Sequence, residues 1–244
     1  MTLFPTPAAS PLANSPLASS RQVILITAPD WASTTGKLQR FERESLASEW
    51  RGVGEEVEVS LGRGGLAWGI GLHRARSAAG PAKYEGDGCA PAGVFALTAL
   101  FGNAGPESDL ARSARLPYYA ATHDLKAIDD PLSRYYNQLV DQRYVDAIDW
   151  QSHEEMLRDD TRYTLGAVVA HNTEPPLPGA GSCIFLHVWQ SAGVPTAGCT
   201  AGSLADMTEI FRWLDGAAAP LLVQLPQAEY RRFKDAWALP GRAD

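Results

Sequence analysis

The sequence is poor in cysteine, in positive charge and in long apolar runs, and each shortage excludes a class of protein. Its three cysteines, Cys89, Cys183 and Cys199, are too few for a disulfide framework, and their odd number leaves at least one thiol free. Cys89 and Cys183 could pair in an oxidising compartment, although Cys183 also fits a core position in an apolar strand. The net charge of −7 argues against a duplex nucleic-acid binder, and no apolar run approaches the roughly 20 residues of a membrane span.

Motifs for metal and nucleotide binding are also missing. No cysteine pair has Cys-x-x-Cys spacing and no His-Glu-x-x-His occurs, so the sequence predicts no metal site. The glycine-rich stretch 62–71 contains no GxxxxGK[ST], and no GxGxxG opens a helix. Strands joined by tight turns are therefore a better interpretation of this stretch than a phosphate-binding loop.

The length and composition fit one domain preceded by a leader. A chain of 244 residues with 45% hydrophobic and 20% charged residues can bury a full hydrophobic core. Residues 1–20 are rich in Pro, Ala and Ser and lack the basic start and continuous apolar stretch of a signal peptide. This composition predicts a disordered leader, and the absence of repeats or linkers predicts a single domain over 21–244.

Hydrophobic periodicity predicts a fold that is mainly β with some α. Alternating or β-branched apolar runs predict strands at 22–27, 36–43, 50–62, 164–171, 183–189 and 220–225. Ser203 is a candidate N-cap with Asp206 three residues later, and the apolar spacing after it predicts a helix. A closing helix is expected at 227–237, and a short helix at 154–158.

One cysteine has the surroundings that nucleophilic catalysis requires. A free thiol has a pKa of about 8.5 and needs a base or a positive environment to react near neutral pH. His187 lies on an apolar strand twelve positions before Cys199, and the turn-forming residues between them allow the chain to bring imidazole and thiol together. The amides of Gly198 and Cys199 are candidate oxyanion donors. The same spacing also fits a cysteine that is simply buried in the core.

Three stretches together resemble a known family. They are 86–95 (GDGCAPAGVF), 185–188 (FLHV) and 196–199 (TAGC), with weaker echoes at 129–137 and 155–156. In this order they resemble the L,D-transpeptidase (YkuD-type) catalytic domain of bacterial peptidoglycan enzymes, over roughly residues 22–225. The resemblance implies a β-sandwich or barrel-like β domain with one helix after the nucleophile and another at the C-terminus.

The resemblance also implies an activity and its residues. Cys199 would attack a peptidoglycan stem peptide, release D-alanine and form a thioester, with His187 as the base and Thr196 as a supporting residue. Backbone amides of Gly198 and Cys199 would form the oxyanion hole. A diaminopimelate amine of a neighbouring stem would then resolve the thioester and create a cross-link in the cell envelope or periplasm. No metal and no organic cofactor are required.

Further residues are assigned by position. Tyr136, Asn137 and Trp189 are candidates for a substrate groove, although each also fits a structural role. His171 ends a strand, and a solvent-facing position is expected for it.

The sequence departs from the family pattern near the nucleophile. Ala197 stands where the family has a second histidine, Thr200 and Ala201 stand where an arginine usually follows, and the interval between His187 and Cys199 is short. These departures leave the resolving step open. Water could replace the amine, which would make the protein a cysteine carboxypeptidase or hydrolase, or the domain could bind the wall without turnover. With no signal peptide visible, a cytoplasmic thiol enzyme unrelated to the wall is a third alternative.

Overall fold

The fold, described here from a computed structural model over residues 15–74 and 76–241, is mainly β with a few helices, which confirms the predicted class. The strands are β1 (Gln22–Ala28), β2 (Thr35–Glu42), β3 (Arg51–Ser60), β4 (Leu66–Trp68), β5 (Ala90–Gly102), β6 (Tyr118–Ala120), β7 (Leu125–Ala127), β8 (Leu139–Asp141), β9 (Glu154–Glu155), β10 (Leu165–Val169), β11 (Phe185–Val188), β12 (Thr200–Gly202) and β13 (Leu221–Pro226). The helices are α1 (Asp109–Ser113), α2 (Leu204–Trp213) and α3 (Gln227–Phe233).

Eight strands close into a barrel-like sheet. Hydrogen-bonded neighbours run in the order β10, β11, β12, β3, β2, β1, β13 and β5, and β5 pairs with β10 to complete the ring. The pairs β1–β13 and β11–β12 are parallel, whereas the other pairs in the ring are antiparallel. β4 and β6 pair with β5 outside the ring. Closure gives each strand of the ring two neighbours, so their backbone groups are paired on both sides.

The predicted strands form where apolar side chains can enter the core. β1 is buried along its whole length, because β2 and β13 flank it and α3 packs against it. In β2, Leu38 and Phe41 are both buried although they are three residues apart. The pairing of β2 with β3 shifts register between Leu38 and Arg40, and such a bulge returns the next apolar side chain to the core face.

Helix α2 follows the expected nucleophile, as the sequence predicted. The Ser203 side chain accepts a hydrogen bond from the amide of Asp206, which satisfies one free donor of the first turn. Met207, Ile210 and Phe211 are buried, and α2 packs on β10 and β11. The helix therefore packs against the sheet next to the point where β11 and β12 pair.

The helix expected at 154–158 is wrong. Glu154 and Glu155 form β9, which pairs with β7 in a second, three-stranded sheet of order β8–β7–β9. Met156 is fully buried there, and Lys126 forms an ion pair with Glu155. A helix of one turn has little to offset its nucleation cost, so these tertiary contacts decide the local structure.

Part of the expected leader is packed against the barrel. Leu17 is fully buried, Ser15 donates a hydrogen bond to the carbonyl of Trp237, and Arg43 donates to the carbonyls of Leu17 and Ser20. Residues 15–20 therefore belong with the domain and not with a disordered leader, whereas 1–14 lie outside the described residues. Within the described ranges, no helix is long and apolar enough to cross a membrane.

Candidate active site

A cavity of about 540 Å³ opens where three distant parts of the chain meet. Its walls come from the turn at 83–88, from 153–163 around and after β9, and from 182–199 around β11, and Arg63 from the loop between β3 and β4 also lines it. Cys199 and His187 both line it.

The parallel pairing of β11 with β12 places the two side chains. Cys199 directly precedes β12, and in the register of this pair His187 lies opposite Ala201. Among the hydrogen bonds of the described residues, none joins His187 to Cys199 directly. Catalytic hydrogen bonds are commonly long in free enzymes and tighten when substrate binds.

Two backbone carbonyl groups, those of Val188 and Arg162, face the imidazole ring of His187. Its Nδ1 lies 2.8 Å from the carbonyl oxygen of Val188, which can only accept, so Nδ1 carries the proton. Nε2 of the neutral ring is then unprotonated. Burial lowers the pKa of His187 to about 4, and the Tyr163 ring packs edge-on against the imidazole at 5.2 Å. His187 is therefore a neutral base at pH 7.

The Cys199 sulfur is buried and held by backbone groups. The amide of Phe185 donates to Sγ at 3.3 Å, and the carbonyl of Cys183 lies 3.6 Å from Sγ. Burial and, next, the negative charge of Glu154 raise the pKa of the Cys199 thiol to about 12. Thiol and imidazole are both neutral at pH 7, so proton transfer must accompany nucleophilic attack.

Thr196 organises the loop that carries the nucleophile. Its Oγ1 accepts from the Gly198 amide at 3.1 Å and donates to the Cys199 carbonyl at 2.6 Å. The Gly198 amide is thus already bonded, which contradicts its predicted role as an oxyanion donor in this conformation. For the Cys199 amide, no hydrogen-bond partner occurs in 15–74 or 76–241, so it remains a candidate donor.

The turn that precedes β5 packs beneath this loop. A Cβ built on Gly198, whose φ is +153°, would lie 3.3 Å from the Cys89 carbonyl oxygen and 3.9 Å from the Lys83 ammonium. Lys83 in turn donates to Asp87 and to the Cys89 carbonyl, both at 2.8 Å. The segment 86–95, a turn followed by the start of β5, is therefore in close contact with the nucleophile loop, although about a hundred residues separate them.

The three predicted groove residues differ in position. Trp189 lines the cavity, whereas Tyr136 and Asn137 do not. Tyr136 donates to Glu85 at 2.6 Å and lies behind that carboxylate. The Asn137 side chain bonds the backbone of its neighbours, namely His171, Asn172 and Cys183. Both residues support the cavity wall instead of contacting its contents.

His171 is buried, which corrects the expectation of a solvent-facing side chain. Nδ1 accepts from the Ile70 amide at 3.1 Å, Nε2 lies 3.0 Å from the Ala180 carbonyl, and the ring packs on Phe95. Loops on both sides cover this strand end, which periodicity within the strand cannot reveal. Cys89, Cys183 and Cys199 are all free and buried thiols, so the pairing of Cys89 with Cys183 is not formed.

We expect burial of His171 to make the protein sensitive to acid. Burial lowers the pKa of His171 to about 4, against about 6.5 in the unfolded chain. Below pH 6.5 only the unfolded state binds this proton, so stability falls with pH until the folded pKa is reached. This group alone costs about 2 kcal/mol between pH 7 and pH 5.

Urea unfolding at the two pH values measures this effect. His171→Gln should reduce the difference in unfolding free energy by about 2 kcal/mol, whereas His123→Gln, at an exposed site, should leave it unchanged. An unchanged difference in the His171 variant would contradict the assignment.

Several residues of the cavity were not anticipated from the sequence. They are Arg63, Lys83, Glu154, Arg158, Arg162 and Tyr163. Tyr163 donates a hydrogen bond to Glu154, and Arg158 and Arg162 both bind Asp160. None lies in a motif, and only the tertiary structure brings them together.

Comparison of the chain with family models, curated proteins and solved structures gives no match. In the ranges that the structure describes, no group of three or more His, Cys, Asp or Glu side chains is placed to hold a metal ion. The arrangement of Cys199, His187 and the surrounding charges is thus the basis for assigning a function.

Proposed function

We propose that the protein is a cysteine acyltransferase of the L,D-transpeptidase type, acting on peptidoglycan stem peptides in the cell envelope. One observation carries the proposal: the segments 86–95, 185–188 and 196–199, which resemble that family in sequence, contribute to one site around Cys199 and His187. The closed eight-stranded sheet is compatible with the β-sandwich or barrel that the resemblance implies. Neither a metal nor an organic cofactor is needed for this chemistry.

The proposed reaction begins with the neutral pair. As Sγ of Cys199 attacks the stem carbonyl, Nε2 of His187 takes the thiol proton, and the Cys199 amide faces the developing oxyanion. The C–N bond to the terminal D-alanine breaks, and His187 returns the proton to the leaving amine. The thioester is then resolved by a diaminopimelate amine, which forms a cross-link, or by water, which yields a shortened stem.

The cations of the cavity support a substrate that carries carboxylates. Arg63, Arg158 and Arg162 line it, although the family's usual arginine is replaced by Thr200 and Ala201. Arg158 and Arg162 are engaged with Asp160, whereas no ion pair of Arg63 occurs among the described residues. Arg63 is therefore the group best placed to accept a new carboxylate.

Incubation with a purified disaccharide tetrapeptide tests the proposal. Mass spectrometry should show an acyl-enzyme on the wild-type protein, with release of D-alanine and formation of cross-linked dimers. Tripeptide products without dimers would instead support the alternative of a cysteine carboxypeptidase. Cys199→Ala should give neither adduct nor product. If wild-type protein leaves the muropeptide intact and forms no adduct, also with a carbapenem, a wall-binding domain without turnover is the correct reading.

A further inference from the structure

One carboxylate of the cavity, that of Glu154, takes no part in the proposed acylation step. Glu154, the first residue of β9, lines the cavity together with Cys199 and His187. Its Oε2 accepts a hydrogen bond from the Tyr163 hydroxyl, and the Tyr163 ring packs against both His187 and Phe185. Tyr163 therefore fixes this carboxylate relative to the base.

Two acidic residues that line the cavity, Glu154 and Glu85, have no ion pair within the described ranges, whereas the other two do. Asp87 pairs with Lys83, and Glu155 pairs with Lys126 and His153. Glu85 accepts hydrogen bonds from Tyr136 and Ser182. Within residues 15–74 and 76–241, no ion pair of Glu154 is found, and burial raises the pKa of its carboxyl group. A carboxylate in this state favours a cationic ligand.

The position of Glu154 is unfavourable for forming a thiolate. Its negative charge is, after burial, the largest influence that raises the pKa of Cys199. A group that served acylation would carry the opposite charge. The position of Glu154 is explained if a cation enters the cavity after the thioester has formed, when the sulfur no longer needs to ionise.

We propose that Glu154, oriented by Tyr163, binds the ammonium group of the acyl acceptor and thereby selects a primary amine over water. This inference rests on the proposed acyltransferase function and names the residue that determines which nucleophile resolves the thioester. Glu154 is then a specificity-determining residue.

Glu154 and His187 together can accept both protons that the nitrogen loses during acyl transfer. The bound ammonium gives one proton to the free oxygen of Glu154, and the resulting amine attacks the thioester carbonyl. A C–N bond forms and the C–S bond breaks, while His187 takes the second nitrogen proton and passes it to the departing sulfur. Glu154 then releases its proton to solvent. The products are an amide, a free thiol and one proton in solution.

The test compares Glu154→Gln with Glu155→Gln, a neighbouring carboxylate that also lines the cavity but is already paired. Each protein receives the disaccharide tetrapeptide as donor, and a stem with a free diaminopimelate amine is the acceptor. The measured quantities are the ratio of cross-linked to hydrolysed product, the acyl-enzyme mass, and the rate of Cys199 alkylation by iodoacetamide. Circular dichroism confirms folding.

Glu154→Gln should lower the product ratio about 10-fold to 100-fold, since a hydrogen bond to a charged group is lost, and should speed alkylation. Glu155→Gln should leave the ratio unchanged. An unchanged ratio in a Glu154→Gln protein that still forms the acyl-enzyme overturns the role of Glu154 and leaves the acyltransferase intact. Absence of an acyl-enzyme on the wild type overturns both. If Glu154→Gln does not fold, Tyr163→Phe replaces it in the test. The proposal then requires a smaller fall in the ratio of cross-linked to hydrolysed product.

Discussion

Replacement of His187 by glutamine is expected to slow acylation of Cys199 by a factor of about 10² to 10⁴, the usual contribution of a positioned base. The reason is that burial keeps the Cys199 thiol protonated, with its pKa raised to about 12, so almost no thiolate exists at pH 7 without a base. Nδ1 of the neutral His187 ring is held by the Val188 carbonyl, so Nε2 is the nitrogen that accepts the thiol proton in this mechanism.

Intact-mass kinetics with the tetrapeptide donor or a carbapenem would measure this loss. The matched control is His153→Gln, because His153 also lines the cavity but is exposed and bonded to Glu155. We expect His153→Gln to acylate at a rate within a few fold of the wild type. Comparable losses in the two variants would contradict the assignment of His187 as the base.

The elements of the barrel could be predicted because their sequences carry local signals. The apolar run of β1 and the N-cap at Ser203 each leave a pattern within a few residues, and the structure contains both elements as predicted. At 154–158 the local pattern misleads, because pairing of β9 with β7 and burial of Met156 outweigh the helix propensity of a segment too short to offset its nucleation cost. Whether a short segment becomes helix or strand is decided by contacts with residues that lie elsewhere in the chain.

The same distinction divides the residues of the site. Cys199 and His187 could be proposed because their motifs are local and chemically distinctive. Tyr136 and Asn137 are groove candidates in the sequence, yet their partners are Glu85 and the backbone of Cys183. Glu154 and Lys83 carry no local signature, since only the packing of separate loops gives these charges their importance.

The second large effect that we expect is on stability, at the ion pair between Lys83 and Asp87. Both side chains are almost fully enclosed, with 5% and 3% of their surfaces exposed, and their charged atoms lie 2.8 Å apart. Asp87 also accepts from the amides of Tyr84 and Cys89. Lys83→Met would leave this carboxylate buried without its cation, at a cost of about 3 to 5 kcal/mol.

Urea denaturation of the wild type and Lys83→Met would measure the cost, with Lys37→Met as the matched control. Lys37 pairs with Glu58 at a similar distance, but both side chains are exposed, so the expected loss there is about 0 to 1 kcal/mol. Adding Asp87→Leu to Lys83→Met should recover part of the loss, because the uncompensated charge is removed together with its partner. Equal losses at Lys83 and Lys37 would show that the buried pair contributes no more than an exposed one. The recovery also separates stability from activity. The double variant regains part of its stability, but it lacks the hydrogen bond from Lys83 to the Cys89 carbonyl beneath Gly198. We therefore expect acylation of Cys199 to stay slow in the double variant.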